Sequence, residues 1–234
     1  MILQILTLLG ALGMFLFGMN MMSAGLQKAA GDRLRNFLSS MTSSPFKGVL
    51  TGLGITTVIQ SSSATTVLVV SFVNAGLLTL VQAVGIIMGA NIGTTLTAWV
   101  TAVGFSVDIS AFSVPLMILG FILTNSKKQQ YKNIGEFIVG FALMFLGLSF
   151  MKSSAGTLLS NKDAMMAFFS HFTEFGFSSD LIFLLAGTIL TIVLQASSAT
   201  MAITMLLAAS GLIDFKLAVA MVLGENIGTI VKEG

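Results

Sequence analysis

The sequence predicts an all-α polytopic membrane protein made of two inverted-topology repeats, each with a re-entrant helical hairpin and a broken transmembrane helix. Three observations lead there. Apolar residues make up 55% of the 234 residues and charged residues 9%, against roughly 25% charged in a soluble domain. A polar heptapeptide, Gln60-Ser61-Ser62-Ser63-Ala64-Thr65-Thr66, lies between two apolar arms and returns 135 positions later as Gln195-Ala196-Ser197-Ser198-Ala199-Thr200-Met201. Each copy is followed by a glycine-flanked asparagine: Gly89-Ala90-Asn91-Ile92-Gly93-Thr94-Thr95 and Gly224-Glu225-Asn226-Ile227-Gly228-Thr229. The spacing from Ser62 to Asn91 and from Ser197 to Asn226 is 29 residues in both.

Composition also excludes several classes. There is no cysteine, hence no disulfide framework, thiol nucleophile or thiolate metal site. A net charge of +2 gives no footing for nucleic acid. Long apolar runs without ten-residue alternation read as helices and not as a barrel.

Residues 1–26 are long enough to span a bilayer. They lack a basic n-region, outrun a signal-peptide h-region, and have a related segment at 141–151, so a retained span is expected. Lys28, Asp32, Arg33 and Arg35 follow in a stretch read as an amphipathic surface helix and loop, with Pro45 marking re-entry. Residues 48–75 are interrupted at their middle by the heptapeptide. Each arm has about a dozen residues, roughly 18–20 Å of helix, against a hydrocarbon core of about 30 Å. A hairpin with its tip near mid-membrane is expected. Residues 77–105 form a full span, and the two glycines around Asn91 predict unwinding, tolerated at depth where backbone is buried in protein or lines a cavity. Residues 107–124 form another span and 125–133, with Lys127, Lys128 and Lys132, a cytoplasmic loop.

Residues 1–124 are thus repeat one and 134–234 repeat two. The second holds a span (134–151), a polar stretch with His171 and Glu174 (152–180), a hairpin (181–211) and a broken span (214–230). Aligned without a gap, 51–95 and 186–230 are identical at 17 of 45 positions. Repeat two stops four residues after Ile230, so its C-terminal end is read as truncated: a fragment, or a subunit completed by another copy.

Repeat one makes three crossings, because a hairpin returns to its own side. Repeat two therefore enters from the opposite face, as in many secondary transporters. Eight cations (Lys28, Arg33, Arg35, Lys47, Lys127, Lys128, Lys132 and Lys232) fall on one side and three (Lys152, Lys162 and Lys216) on the other. The positive-inside rule makes the first side cytoplasmic, with the N-terminus outside and the C-terminus inside.

At the first tip the second arm is expected to begin just after Ser63, and at the second tip at Ala199, with serines as N-caps, and the free N–H groups there carry partial positive charge that suits an anion. The same is expected after Gly93. Carbonyls ending the preceding half-helices, with Ser, Thr, Asn and Gln oxygens, suit Na⁺. This places Asn91, Thr94, Thr95, Asn226 and Thr229 in the candidate site beside the tips. No Lys or Arg lies deep inside a span (Lys216 stands at the start of 214–230), so an anion bound at depth needs co-bound cations to avoid an uncompensated charge in low dielectric. Glu225 is the one acid far from the ends of a span, since Asp108, Glu136 and Asp214 stand within three residues of a span's start, and it occupies the place where repeat one has Ala90. It is a cation ligand or a proton carrier, or it merely reaches the cytoplasmic end of its helix.

The paired Gln-Ser-Ser and Asn-Ile-Gly-Thr motifs resemble the type II sodium-dependent phosphate cotransporter family, over most of the chain. The resemblance is to a bacterial member and implies a multi-pass protein of the cytoplasmic (inner) membrane that is not an enzyme. It further implies Na⁺-driven uptake of inorganic phosphate, an elevator-like or rocking movement, and often a homodimer. It implies Na⁺ and phosphate ligands at Gln60, Ser61, Ser62, Ser63, Thr65 and Thr66, and at Gln195, Ser197, Ser198 and Thr200. A cytoplasmic regulatory domain often follows the membrane part in bacterial members. Ala196 departs from the pattern by removing the hydroxyl that Ser61 supplies.

Isolated hydroxyls such as Ser71, Thr79 and Thr97 are read as structural, as are Asn74 and the close packing expected at Gly10, Gly13 and Gly18. Trp99 and Tyr131 are read as interfacial anchors and His171 as a solvated loop residue. Two other functions share the architecture: a carrier of a dicarboxylate or sulfate, and a transport-degenerate phosphate sensor or scaffold. A serine enzyme is disfavoured, because no His or Lys is placed as its base.

Overall fold

The computed structural model describes residues 2–30, 44–106, 109–158, 169–173 and 175–233. The expected surface helix around Asp32, Arg33 and Arg35, and Lys162 and Glu174, lie outside them. All regular structure among the described residues is helical: α1 (Ile2–Ala30), α2 (Pro45–Ile59), α3 (Ser62–Asn74), α4 (Leu80–Ser106), α5 (Ser110–Thr124), α6 (Gln129–Leu158), α7 (Phe177–Leu194), α8 (Ser197–Ala209) and α9 (Phe215–Glu233). Four stretches, Leu3–Ala30, Leu80–Ser106, Gln129–Gly156 and Phe177–Leu194, are long and apolar enough to cross a membrane. Large apolar side chains such as Leu3, Phe17, Val81, Phe121, Phe177 and Phe215 face outward, as a hydrocarbon environment permits.

The helices meet through small residues. With lipid outside, association depends on close van der Waals approach, which glycine allows. On α1 and α6, Gly18 lies against Met144, Gly25 against Phe137 and Gly147 against Phe15. Partner numbers fall as residue numbers rise, so α1 and α6 are antiparallel. Phe15, Met19, Met22, Met144, Leu148 and Met151 fill their seam, onto which Ala199 and Ala202 of α8 also pack. On α2 and α4, Gly48 meets Gly85, Gly52 meets Ile86, and Gly93 meets Thr56. Here the numbers rise together, so these helices are parallel. The pairing recurs 135 residues later on α7 and α9: Gly187 meets Met221, Gly224 meets Leu184, and Gly228 meets Thr191.

Three expectations are corrected. The helix breaks at Gly89–Thr95 and Gly224–Thr229 do not exist: α4 runs unbroken from Leu80 to Ser106 and α9 from Phe215 to Glu233. A glycine costs an isolated helix only about 1 kcal/mol relative to alanine. Here the glycines let backbones touch, which offsets that cost. Second, the first arm of the second hairpin begins at Phe177 and not Leu181, and its 18 residues make about 27 Å of helix. The Ser179 hydroxyl accepts the Phe175 N–H at 2.9 Å, and Asp180 pairs with Lys216 on α9 at 2.7 Å, which anchors the extra turn. Shortness therefore distinguishes the 15-residue α2 but not α7. Third, Gly10 and Gly13 face open space, and Gly18 alone of that trio packs.

Smaller differences follow. The expected span at 107–124 appears as the 15-residue α5, with Pro115 inside it. His171 sits in a short helical stretch and is exposed. Pro45 is the first residue of α2, with Ser44 as N-cap accepting the Lys47 N–H, the position where a missing N–H is harmless.

Candidate functional site

The two polar heptapeptides fold alike. Helix α2 ends at Gln60, whose backbone is left-handed (φ 55°, ψ 26°), and α7 ends at Gln195 with φ 55° and ψ 22°. These are the only non-glycine residues with positive φ among those described. The next residue is extended in both: Ser61 at φ −147°, ψ 109° and Ala196 at φ −149°, ψ 107°. Helices α3 and α8 then start at Ser62 and Ser197. Reversal takes two residues, and each tip presents the N-terminus of a 13-residue helix with free N–H groups.

A buried hydroxyl pair locks each tip across its arms. Thr56 donates to Thr65 at 3.0 Å, and Thr65 donates to the Ser61 carbonyl at 3.0 Å. Thr191 and Thr200 are likewise 2.9 Å apart. Thr65 and Thr200 are fully buried, where an unpaired hydroxyl would cost about 1–3 kcal/mol.

The first tip is also held from outside. The Gln60 side chain accepts from Thr97 of α4 at 2.8 Å and donates to the Thr57 carbonyl at 2.7 Å. The Ile59 carbonyl accepts from Ser23 and from Gln27 of α1. With the Gln60 N–H on Thr56, the carbonyls of Thr56, Thr57 and Ile59 are all occupied by protein donors. Ser23, Gln27 and Thr97 were not singled out as tip residues by sequence, because nothing local in an apolar helix marks an inter-helix partner. Ser71 bonds back to Val67 as expected, whereas Thr79 pairs with Gln82.

Hydroxyls divide into spent and unspent. Thr94, Thr95 and Thr229 donate to carbonyls of their own helices, those of Ala90, Ile92 and Glu225. Ser61 accepts the Ala64 N–H at 3.2 Å as the N-cap of α3. The hydroxyls of Ser62, Ser63, Thr66, Ser197 and Ser198 carry no hydrogen bond among the described residues. Ser62 and Ser198 are buried as residues, the others half-buried. Asn91 and Asn226 are exposed. Gly89 and Gly93 face α2, and a residue two positions from each lies about 200° round the helix. The structure therefore gathers the tip residues within each repeat and leaves the asparagines on outer helix faces.

The repeats also touch reciprocally: α3 contacts α9, and α8 contacts α4. No cluster of three or more His, Asp or Glu suited to a metal occurs among the described residues. The tips offer neutral oxygens and helix N-termini, a donor set that fits an anion with an alkali cation. Glu225 is buried on α9, and its Oε2 has no hydrogen-bond partner among the described residues. Ala196 has the backbone angles of Ser61 without its cap. Ala196→Ser is expected to stabilise the chain by about 1 kcal/mol, the worth of an N-cap, measured as a raised unfolding temperature in detergent.

The chain matches the family model described as Na+/Pi-cotransporter over residues 14–153 and 159–233. It is 31% identical over 228 residues to the "Putative inorganic phosphate export protein YjbB" of Escherichia coli K12, covering 97% of this chain and 40% of that protein. It is 31% identical over 217 residues to the "Uncharacterized protein YqeW" of Bacillus subtilis, covering 93% and 68%. Human "Sodium-dependent phosphate transport protein 2B" is 39% identical over 111 residues, covering 47% of this chain and 16% of that protein. The chain thus spans about two fifths of the length of the YjbB relatives. No solved structure matches it.

Proposed function

The chain belongs to the Na+/Pi-cotransporter family, and from that premise we propose that it carries inorganic phosphate across a bacterial cytoplasmic membrane by Na⁺-coupled symport. Phosphate and Na⁺ bind at the two tips, to Gln60, Ser61, Ser62, Ser63 and Thr66 in one repeat and to Gln195, Ser197 and Ser198 in the other. Thr65 and Thr200 hold the tips in shape. The observation that carries this reading is the set of five unspent hydroxyls beside two helix N-termini, where the other nearby hydroxyls are bonded to backbone or to another side chain. An anion at an N-terminus is favoured by the exposed N–H groups and the helix dipole. Neither α3 nor α8 carries a charged residue, so Na⁺ supplies the neutralising charge.

The repeats are read as inverted, 1–124 against 134–234, with each tip re-entrant near mid-membrane. The antiparallel pairing of α1 with α6, the opening helices of the two repeats, supports this. The N-terminus is placed outside and the C-terminus inside by the positive-inside count, and two copies form the dimer of the family. A second reading, outward movement, is favoured by the relatives named for phosphate export. A coupled carrier is reversible, so one site serves both directions under opposite gradients.

The test is phosphate flux in proteoliposomes under Na⁺ gradients of either sign, against K⁺. Flux follows the Na⁺ gradient, and Ser62→Ala and Ser197→Ala each lower it at least about tenfold, as loss of one hydrogen bond to a charged ligand predicts. Flux indifferent to Na⁺ and to both substitutions sinks the reading.

A further inference from the structure

Resting on the transport reading above, we propose that Glu225 is a proton-binding site whose occupancy changes as phosphate is carried. Repeat one fills the equivalent place with Ala90, which is fully buried against Gly52 of α2. Repeat two sets a carboxyl there. The residue is 1% exposed, and Oε2 has no partner. A buried polar atom without a partner calls for a ligand, and an intramembrane acid marks an ion or proton path.

Among the described residues its surroundings hold nothing that neutralises a carboxylate. Helix α9 packs on α7, α8 and α3. Helices α3 and α8 have no ionisable residue, and α7 has only Asp180, already paired with Lys216. Lys216 is nine residues from Glu225, about 13 Å along the axis. Lys232 and Glu233 lie about 10 Å or more the other way by the same rise. A bare buried carboxylate costs several kcal/mol, so the group is stable as the acid or beside a cation.

The neighbouring hydroxyls leave a carboxylate without a donor, which favours the protonated acid. Thr229 spends its hydroxyl on the Glu225 carbonyl, and Thr188 spends its own on the Leu184 and Gly224 carbonyls. No second acid is near, and a metal-type cluster is absent among the described residues. A sodium ion needs several oxygens around it, whereas a proton needs one. The step is simple: H⁺ from water binds a carboxylate oxygen to form the O–H, and leaves to water in another stage of the cycle. Reciprocal contacts of α3 with α9 and of α8 with α4 couple that event to the tips.

The test uses the full chain in proteoliposomes loaded with a pH-sensitive dye, with Na⁺ equal on both sides and inorganic phosphate as the probe. In the wild type a gradient of one pH unit, worth up to about tenfold in proton occupancy, drives phosphate flux, and flux moves protons. In Glu225→Gln and in Glu225→Ala the response to the gradient is lost. Phosphate's own titration is common to all three proteins, so the difference between them isolates Glu225. A pH response in both variants equal to the wild type overturns the proposal. If the wild type moves no phosphate under any gradient, the transport reading falls and labelling decides the proton site. Dicyclohexylcarbodiimide adds the O–H of a protonated carboxyl across its C=N bond. Labelling of Glu225 that declines as pH rises upholds the site, and an unlabelled Glu225 in acid overturns it.

Discussion

Alanine at Gly52 or Gly89 is expected to destabilise the chain by about 3 kcal/mol or more, at or beyond the upper end for overpacking. A Cβ on Gly52 would overlap the Ile86 carbonyl oxygen, and one on Gly89 the Val49 carbonyl oxygen. Both obstacles are main chain, so no rotamer change relieves them and α2 must move off α4. That movement would also pull Gln60 away from Thr97, 2.8 Å apart across the same interface. Gly187 and Gly224 are expected to behave alike, since their Cβ positions meet the Met221 and Leu184 carbonyls. Gly10→Ala and Gly13→Ala are the controls. Both face open space, and alanine there should gain up to about 1 kcal/mol of helix propensity. Thermal unfolding in detergent checks the series. Wild-type melting of Gly89→Ala would mean that α2 and α4 are not held by backbone contact.

The same glycines explain what sequence reading could and could not supply. The tips were legible because polarity at Gln60–Thr66 contradicts its surroundings, and because the pattern occurs twice. Helices α3 and α8 start at Ser62 and Ser197, within a residue or two of where the serines placed them. The supposed breaks failed because a glycine pair flanking asparagine has two physical meanings. It can loosen a helix or let another approach it. The spacing Gly85, Gly89, Gly93 against Gly48, Gly52 is the four-residue packing stripe, and it was there to be read. Its consequence for function is direct. On an unbroken helix with Gly89 and Gly93 facing α2, Asn91 must point away.

Inter-helix partners were not legible. Nothing in the run around Ser23 and Gln27 says that they cap the carbonyl of Ile59, 36 and 32 residues away. Nor does the sequence around Thr97 single it out for Gln60. Such hydroxyls either bond back to their own helix, as Ser71 does, or join two helices, as Thr97 does, and the sequence does not say which. The distinction between spent and unspent hydroxyls, on which the proposed site depends, is tertiary information.

Glycine at position 60 is expected to leave stability nearly unchanged while reducing Na⁺-driven phosphate flux by about a hundredfold or more, equivalent to ~2.7 kcal/mol of lost ligand interaction. A left-handed residue closing a helix is normally glycine, because any Cβ there is strained. Glutamine keeps this place twice, at φ 55° in both repeats, at a strain of about 1–2 kcal/mol each. Gln60→Gly removes that strain and also removes the hydrogen bonds to Thr97 and Thr57, worth about 1 kcal/mol each. The two changes roughly cancel. A residue kept against its own backbone preference, with a neutral alternative available, points to a function for its side chain. Gln60→Ala sharpens the comparison, since it keeps the strain and loses the bonds, and so should lose both stability and flux. Gln195→Gly gives the second half of the test, because Gln195 is exposed and donates to the Ile192 carbonyl at 2.6 Å. Full flux in both glycine variants would show that the tips need only their turn, and the site would then rest on the serines alone.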